Sequence, residues 1–351
     1  MSGMLRHCLS LICGFVVLAS CSTTPSQKIG DDPIVIAHRG ASGTLPEHTL
    51  EAYQLAIEQG ADFIEPDLVM TKDGVLIARH DPWLSDSTDI AGHPEFADRK
   101  TTVTDPNGRE ITDWFAWDFT LEEIKTLRAT QTRASRDQSY NGQFEIPALD
   151  EILEVAGIPP REMAISYGSR HPMAGRSIRI GEQKTCLYIE TKWPSAHKAR
   201  GLDLATALSA ALHDNVTGDV CAPAYYIQSF EDVILRELAE MSDFELVQLV
   251  SPVDAAGTPS YALEDIATYA DGVGPFKSLV MDLQTGESTG YAEKARELGL
   301  EVHPWTFRDD DIALGFETPE AEIEAILAAG ATGFFTDFPA TGRQAVDQLT
   351  D

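Results

Sequence analysis

Apolar residues fall along the chain in two rhythms that alternate from residue 34 to near the end. A short continuous apolar run at 34–37 (IVIA), too brief for a helix, reads as a strand buried on both faces, and further strand candidates recur at 62–67, 187–192, 225–230, 245–250, 272–274, 302–306 and 333–337. Amphipathic stretches with a period of about 3.6 residues lie between the later ones, at 203–213, 231–241, 262–269, 290–298, 319–329 and 341–349. Residues 44–58 supply the first helix: Thr44, Pro46 and Glu47 form a capping-box pattern, Leu50, Tyr53, Leu55, Ala56 and Ile57 give an apolar side, and Gly60 closes it. Eight strands, each followed eventually by a helix, predict an α/β protein closed as a (β/α)8 TIM barrel.

The alternation breaks once, after the second strand. Two strand-like arms at 68–80 flank Asp73-Gly74, and a two-residue turn there pairs Lys72 with Val75 and sets Asp67 across from His80. From residue 82 to about 146 the α/β rhythm is lost. Turn residues at 105–108, the aromatics Trp83, Trp114, Phe115, Trp117 and Phe119, and a short helix at 120–127 predict a small inserted subdomain over the carboxyl face of the strands. A surface elaboration without substrate contact fits the same residues. An amphipathic helix at 147–156 resumes the pattern.

The amino terminus stands outside this scheme. Arg6 and a mostly apolar run at 9–18 resemble a signal-peptide core, too short to cross a membrane as a helix. The run closes in Leu18-Ala19-Ser20-Cys21, a lipobox-like tetrapeptide that predicts cleavage after residue 20 and a lipidated Cys21. A polar tether at 21–32 then leads into the folded domain, 33–351, and the chain is expected in the cell envelope, facing the periplasm. Of five cysteines, Cys8 and Cys13 leave with the signal, so Cys186 and Cys221 remain in the body, as a disulfide or as two buried thiols.

Charge narrows the function. With 26 Lys+Arg against 56 Asp+Glu, the surface repels polyanions and makes nucleic acid a poor partner. A small anionic substrate still binds where a divalent cation and a few basic groups reverse the sign locally. Arg161, Arg170, His171, Arg176 and Arg179 form one basic cluster, readable as an anion clamp or as solvated loop charge.

The candidate chemistry sits where strands end. Glu65 and Asp67 share one strand face, and Glu190 ends the next barrel strand. Three such carboxylates suit a hard divalent cation, Ca²⁺ ahead of Mg²⁺, rather than zinc. His38 and His80 emerge beside them as an acid and base pair, and Arg39 and Lys192 offer positive charge for a phosphate oxygen. Phe230, Trp305 and Phe307, at strand ends, line a pocket or pack as core and rim.

These residues also carry a resemblance. AHRGASGTLPEHTLEAYQLAIEQGADFIEPDLVMTKDGVLIARHD at 37–81, LYIETKWP at 187–194, ADGVGP at 270–275, VHPWTFR at 302–308 and GFFTDFP at 333–339 are similar to the bacterial periplasmic glycerophosphodiester phosphodiesterases. The resemblance implies a metal-dependent barrel with Glu65, Asp67 and Glu190 as ligands, His38 and His80 as acid and base, and Arg39 and Lys192 on phosphate. It also implies cleavage of glycerophosphodiesters, such as glycerophosphocholine and glycerophosphoethanolamine, to glycerol 3-phosphate and an alcohol. No protein partner is implied, and membrane contact is expected through the lipid anchor alone. Residues 82–146 and 158–181 match the family poorly. A phospholipase or sphingomyelinase D-like barrel acting on intact lipids is the rival enzyme, and a ligand-carrying lipoprotein is the rival from another class.

Overall fold

The computed structural model describes residues 32–105, 108–158, 185–212 and 223–350. The signal segment, Cys21, Cys221 and the basic cluster at 161–179 lie outside them. Twelve strands and ten α-helices follow one another in the described chain. Eight strands make the barrel: β1 (Ile34–Ala37), β2 (Phe63–Ile64), β7 (Cys186–Thr191), β8 (Tyr225–Ser229), β9 (Glu245–Val250), β10 (Gly272–Pro275), β11 (Glu301–Val302) and β12 (Gly333–Thr336). They pair in parallel, in the order β11, β10, β9, β8, β7, β2, β1, β12. The expected strand at 302–306 is regular for two residues only. Beyond it the extended chain still closes the barrel, with Thr332 N donating to Val302 O at 2.9 Å and Phe307 N to Phe335 O at 2.8 Å. The chain is therefore the parallel eight-stranded barrel that its hydrophobic pattern predicts.

Alternation along the strands divides two cores. Ile34, Ile36, Phe63, Tyr188, Tyr226, Val247 and Phe335 fill the barrel, while Val35 and Ala37 face outward to the helices. Burying each of these large side chains contributes about 1.5–3 kcal/mol, so both faces of β1 hold the barrel together. Phe307 belongs to the outer core, 1 % exposed and edge-on to Phe334 at 5.6 Å, so its pocket role falls away.

Helix α1 (Leu50–Glu58) corrects the first capping expectation. Its N-cap is Thr49, whose hydroxyl accepts from Ala52 N at 3.2 Å. Glu47 does not reach back to Thr44, because Arg39 and Thr132 hold its carboxylate at 3.2 and 3.1 Å. An ion pair outweighs a local cap there.

The second strand is also not continuous. Pro66 interrupts it, and the chain resumes as β3 (Asp67–Met70), which pairs with β7 and with β4 (Leu76–Ala78). The hairpin register differs by one from the expectation: Met70 faces Leu76 and Leu68 faces Ala78, so Arg79 rather than His80 comes opposite Asp67. Its connection has three residues, with Thr71 N bonded to Val75 O at 2.9 Å and Gly74 at φ +82°. Asp73 is drawn away from a tight turn by Thr71 Oγ1 at 2.6 Å and Leu121 N at 3.0 Å.

The insertion carries β5 (Thr101–Thr104), β6 (Glu110–Asp113) and α2 (Leu121–Ile124). Its own apolar core joins Leu84, Ile90, Phe96, Trp114, Phe119 and Leu127 to Val69 and Ile77 of the hairpin. The barrel helices are α3 (Leu149–Ala156), α4 (Pro194–Lys198), α5 (Leu204–Ala211), α6 (Asp232–Met241), α7 (Leu263–Ile266), α8 (Tyr291–Glu297), α9 (Pro319–Ala328) and α10 (Pro339–Thr350). Among the described residues no helix is long and apolar enough to cross a membrane. Cys186 is disulfide-bonded.

Candidate active site

Parallel register brings the acids together. Asp67 on β3 stands beside Glu190 on β7, and with Glu65 they offer carboxylate oxygens that all lie within 4.8 Å of one another. All three are at most 6 % exposed. Such crowding is costly without positive charge, and the surroundings supply it unequally. Burial, Asp67 and Glu190 push the Glu65 carboxyl well above the usual range. Burial also lifts Glu190, which Lys192 only partly offsets, to about 8. For Asp67 the same burial is outweighed by His48, Lys192 and Arg39, which hold its carboxyl well below the usual range.

Partners fix each ligand's orientation. Glu65 accepts from Arg39 N at 3.0 Å and from Gln228 Nε2 at 2.7 Å. Asp67 Oδ2 meets His48 Nε2 at 3.0 Å and Arg39 Nε at 3.4 Å, and His48 Nδ1 meets Tyr53 OH at 2.8 Å. Asp67 Oδ1 is buried without a hydrogen-bond partner. An orphaned carboxylate oxygen facing two further acids is what a hard, oxygen-preferring divalent ion would satisfy. The three residues fit such an ion. Lys192 Nζ donates to Glu190 Oε1 at 2.8 Å, so it lies in the site as expected, buried and paired.

The loop after β1 is tightly wound to deliver these contacts. Arg39 and His48 both adopt left-handed backbone, at φ 60° and 57°. Gly40 between them has φ +83°, and a Cβ there would come within 2.8 Å of the Ala52 backbone. The His-Arg-Gly turn thus needs its glycine for space and for conformation.

Both histidines border the acids. His38 Nδ1 lies 2.6 Å from Asp337 Oδ1, and its Nε2 lies 3.9 Å from Glu65 Oε2. Burial and the adjacent Arg39 lower its pKa to about 4 despite Asp337. His80 Nδ1 lies 2.7 Å from Asp81 Oδ2, and burial, Arg39 and Lys192 lower its pKa well below the usual value. His80 opens on a cleft of about 280 Å³ that it shares with Arg39, Glu47, Asp81, Trp83, Asp86, Ser87 and Thr132. Trp83 and Thr132 come from the insertion, which therefore does reach the carboxyl face of the barrel. Phe230 and Trp305 meet edge to face at 5.7 Å, with Phe276 beyond at 5.0 Å, and the Lys192 ammonium lies 5.8 Å from the Phe230 ring.

Residues 38–341 match the glycerophosphoryl diester phosphodiesterase family. The chain belongs to this family. A glycerophosphodiester phosphodiesterase of Arabidopsis thaliana is 33 % identical, covering 95 % of this chain and 94 % of its own length. One from Haemophilus influenzae is 32 % identical, covering 93 % and 94 %. The solved structure of an Oleispira antarctica phosphodiesterase, in complex with the product sn-glycerol-3-phosphate, superposes with a TM-score of 0.57 over 90 % of this chain and 97 % of its own, at 21 % identity. The family match and these relatives identify the chain as a glycerophosphodiester phosphodiesterase, and the solved structure shares its fold.

Several residues of the site carry no local signal. His48, Gln228, Arg136, Arg308 and Asp337 lie outside the expected site residues, although His48, Arg308 and Asp337 fall inside motifs that carry the resemblance. The alternation along β8 is the one clue to Gln228, which stands in register with Glu190.

Proposed function

We propose that this protein hydrolyses glycerophosphodiesters, with glycerophosphocholine and glycerophosphoethanolamine among its substrates, to sn-glycerol 3-phosphate and the free alcohol. The observation that carries the reading is the convergence of Glu65, Asp67 and Glu190 with an orphaned Asp67 oxygen, beside two imidazoles and Arg39. Those three carboxylates would hold one divalent cation, Ca²⁺ ahead of Mg²⁺, which when bound would supply charge for the phosphoryl oxygen and make a nearby hydroxyl more acidic.

The remaining work falls to the chain. Arg39 offers a planar fork to a phosphoryl oxygen, and Lys192 adds a second positive charge. His38 and His80 act as acid and base. Each has its Nδ1 engaged by an aspartate, which leaves Nε2 to face the reaction: an unprotonated Nε2 takes a proton, and one that has drawn a proton from solvent gives it. One removes the proton from the attacking glycerol hydroxyl and the other, already protonated, gives its proton to the departing alkoxide, leaving a cyclic phosphodiester; water then opens the ring, its proton taken by the now-neutral imidazole and the ring oxygen reprotonated by the other, to give sn-glycerol 3-phosphate. Phe230 and Trp305 line the alcohol side. The signal at 1–20 and the lipobox support export and anchoring through Cys21, with the domain facing the periplasm.

Incubation of residues 21–351 with glycerophosphocholine, with and without chelator, tests the reaction. Glycerol 3-phosphate should form, disappear on chelation, and return with Ca²⁺. Absence of product with both Ca²⁺ and Mg²⁺ restored would overturn it. Glu65→Gln should weaken the apparent metal affinity about ten-fold or more by calorimetric titration; unchanged affinity removes Glu65 from the ligand set.

A further inference from the structure

Arg136 lies in the last part of the insertion, far in sequence from every residue discussed as catalytic, yet its guanidinium is used at every nitrogen. Nε and Nη2 form a fork on Asp310 at 2.8 and 3.0 Å. Nη2 also reaches Asp337 Oδ2 at 2.6 Å, and Nη1 donates to Ser42 O at 3.0 Å. The side chain is 5 % exposed, and the Asp337 side chain 3 %. Asp337 in turn takes Arg308 Nε at 2.8 Å on Oδ2 and His38 Nδ1 at 2.6 Å on Oδ1. Ser42 closes the ring, its hydroxyl donating to His38 O at 2.7 Å. Gln131, also from the insertion, donates to Ser42 O and Leu45 O at 3.2 and 3.3 Å.

We infer that Arg136 is a positioning residue through which the insertion sets the orientation of His38. A carboxylate free to rotate aims an imidazole loosely, whereas one clamped by two guanidinium groups on Oδ2 presents Oδ1 in one direction. The ring also ties the β1 loop, the 308–310 loop, the end of β12 and the insertion to one point, so a loosened insertion reaches the chemistry through a single side chain. A merely structural anchor would hold the insertion in place and leave His38 unaffected once the protein is folded. This inference rests on His38 acting as an acid or base in the reading above.

The test compares wild type, Arg136→Met and Arg136→Lys, each normalised to folded protein. Misplacement of a reacting group by about an ångström costs on the order of 100-fold. Arg136→Met should therefore lower kcat about 10- to 100-fold with KM within about two-fold, and Arg136→Lys, able to neutralise Asp337 but not to fork Asp310, should recover part of the loss. Tm will fall in both. An unchanged kcat per folded molecule in Arg136→Met overturns the inference, whatever the change in Tm. A second reading does not depend on turnover: the His38 Nδ1 proton, assigned by its loss in His38→Gln, should give a sharp downfield NMR signal that broadens or moves in Arg136→Met. Should wild type fail to hydrolyse the substrate, the proposed reaction falls, but the NMR comparison still decides the positioning role. An unmoved signal rejects it.

Discussion

The corner around His38 and the corner around His80 flank the same carboxylates and are built differently. At His38 the partner Asp337 is held by Arg136 and Arg308, and the imidazole side chain is 11 % exposed. At His80 the partner is the neighbouring residue Asp81, the imidazole is 33 % exposed, and it faces an open cleft. One corner fixes direction and excludes water. The other stands open to a ligand and to solvent. On the proposed mechanism, two imidazoles of one chemical type would receive separate tasks from their surroundings, as acid and base roles require.

The largest test is removal of each ring. His38→Ala and His80→Ala should each lower kcat by about 10²- to 10⁴-fold, the usual worth of a positioned acid or base. Added imidazole should then separate the corners. The cleft beside His80 has room for it, so His80→Ala should regain about ten-fold with tens of millimolar imidazole, while the closed His38 corner should not respond. Equal rescue of both variants, or of neither, would erase the distinction. Next in size, Asp337→Asn should cost about 10- to 100-fold in kcat, because Arg136 and Arg308 lose their shared counter-ion as well as their aim. Asp81→Asn should cost only a few-fold, measured in the same steady-state assay. Reversal of that order would mean that Asp81 does the orienting.

The unequal corners also explain what local pattern conveys. Glu65, Asp67 and Glu190 were legible because side-chain alternation and parallel register act over two residues or one strand, and the fold followed from eight repeats of the same rhythm. Local pattern places His80 one residue away from its observed register because Asp73, suited to a tight turn, is captured by Leu121 N across 48 residues. Thr44 and Glu47 looked like a cap for the same kind of reason: Glu47 serves Arg39 and Thr132 instead. The His38 corner depends on partners 299 and 201 residues apart, His38 with Asp337 and Arg136 with Asp337, and no periodicity carries such pairs.

Protonation gives a smaller effect of opposite sign in the two corners. Burial raises Asp81 to about 6, with Lys192 and Arg39 offsetting it only in part, whereas Asp337 lies well below the carboxylate range because His38, Arg308 and Arg136 outweigh its burial. A raised carboxyl contributes stability in full below its unfolded value near 4 and loses it as pH rises through about 6. A depressed one contributes above that unfolded value and loses it only as pH falls through its lower folded value. Thermal unfolding of metal-free protein should therefore show wild type losing on the order of 2 kcal/mol relative to Asp81→Asn between pH 4 and 7. The Asp337→Asn difference should stay flat from pH 5 to 8. A flat Asp81 difference would mean that its carboxylate is solvated and the cleft wider than drawn.

The finest comparison uses two buried serines, one at each corner. Ser42 Oγ donates to the His38 carbonyl at 2.7 Å, and Ser87 Oγ accepts from Arg79 Nη1 at 3.2 Å. Ser42→Ala leaves the carbonyl of His38, the proposed acid or base, without that donor, which should cost about 1 kcal/mol of stability and lower kcat two- to three-fold. Ser87→Ala removes one of several acceptors, since Arg79 also donates to the carbonyls of Ala78, Ser87, Glu47 and His48. Arg79 keeps those four, so Ser87→Ala should cost less than about 0.5 kcal/mol and leave kcat unchanged. If Ser87→Ala were instead the more damaging of the two, the loop holding His80 would be the tightly determined corner, and the contrast between a fixed and an open imidazole would have to be drawn the other way round.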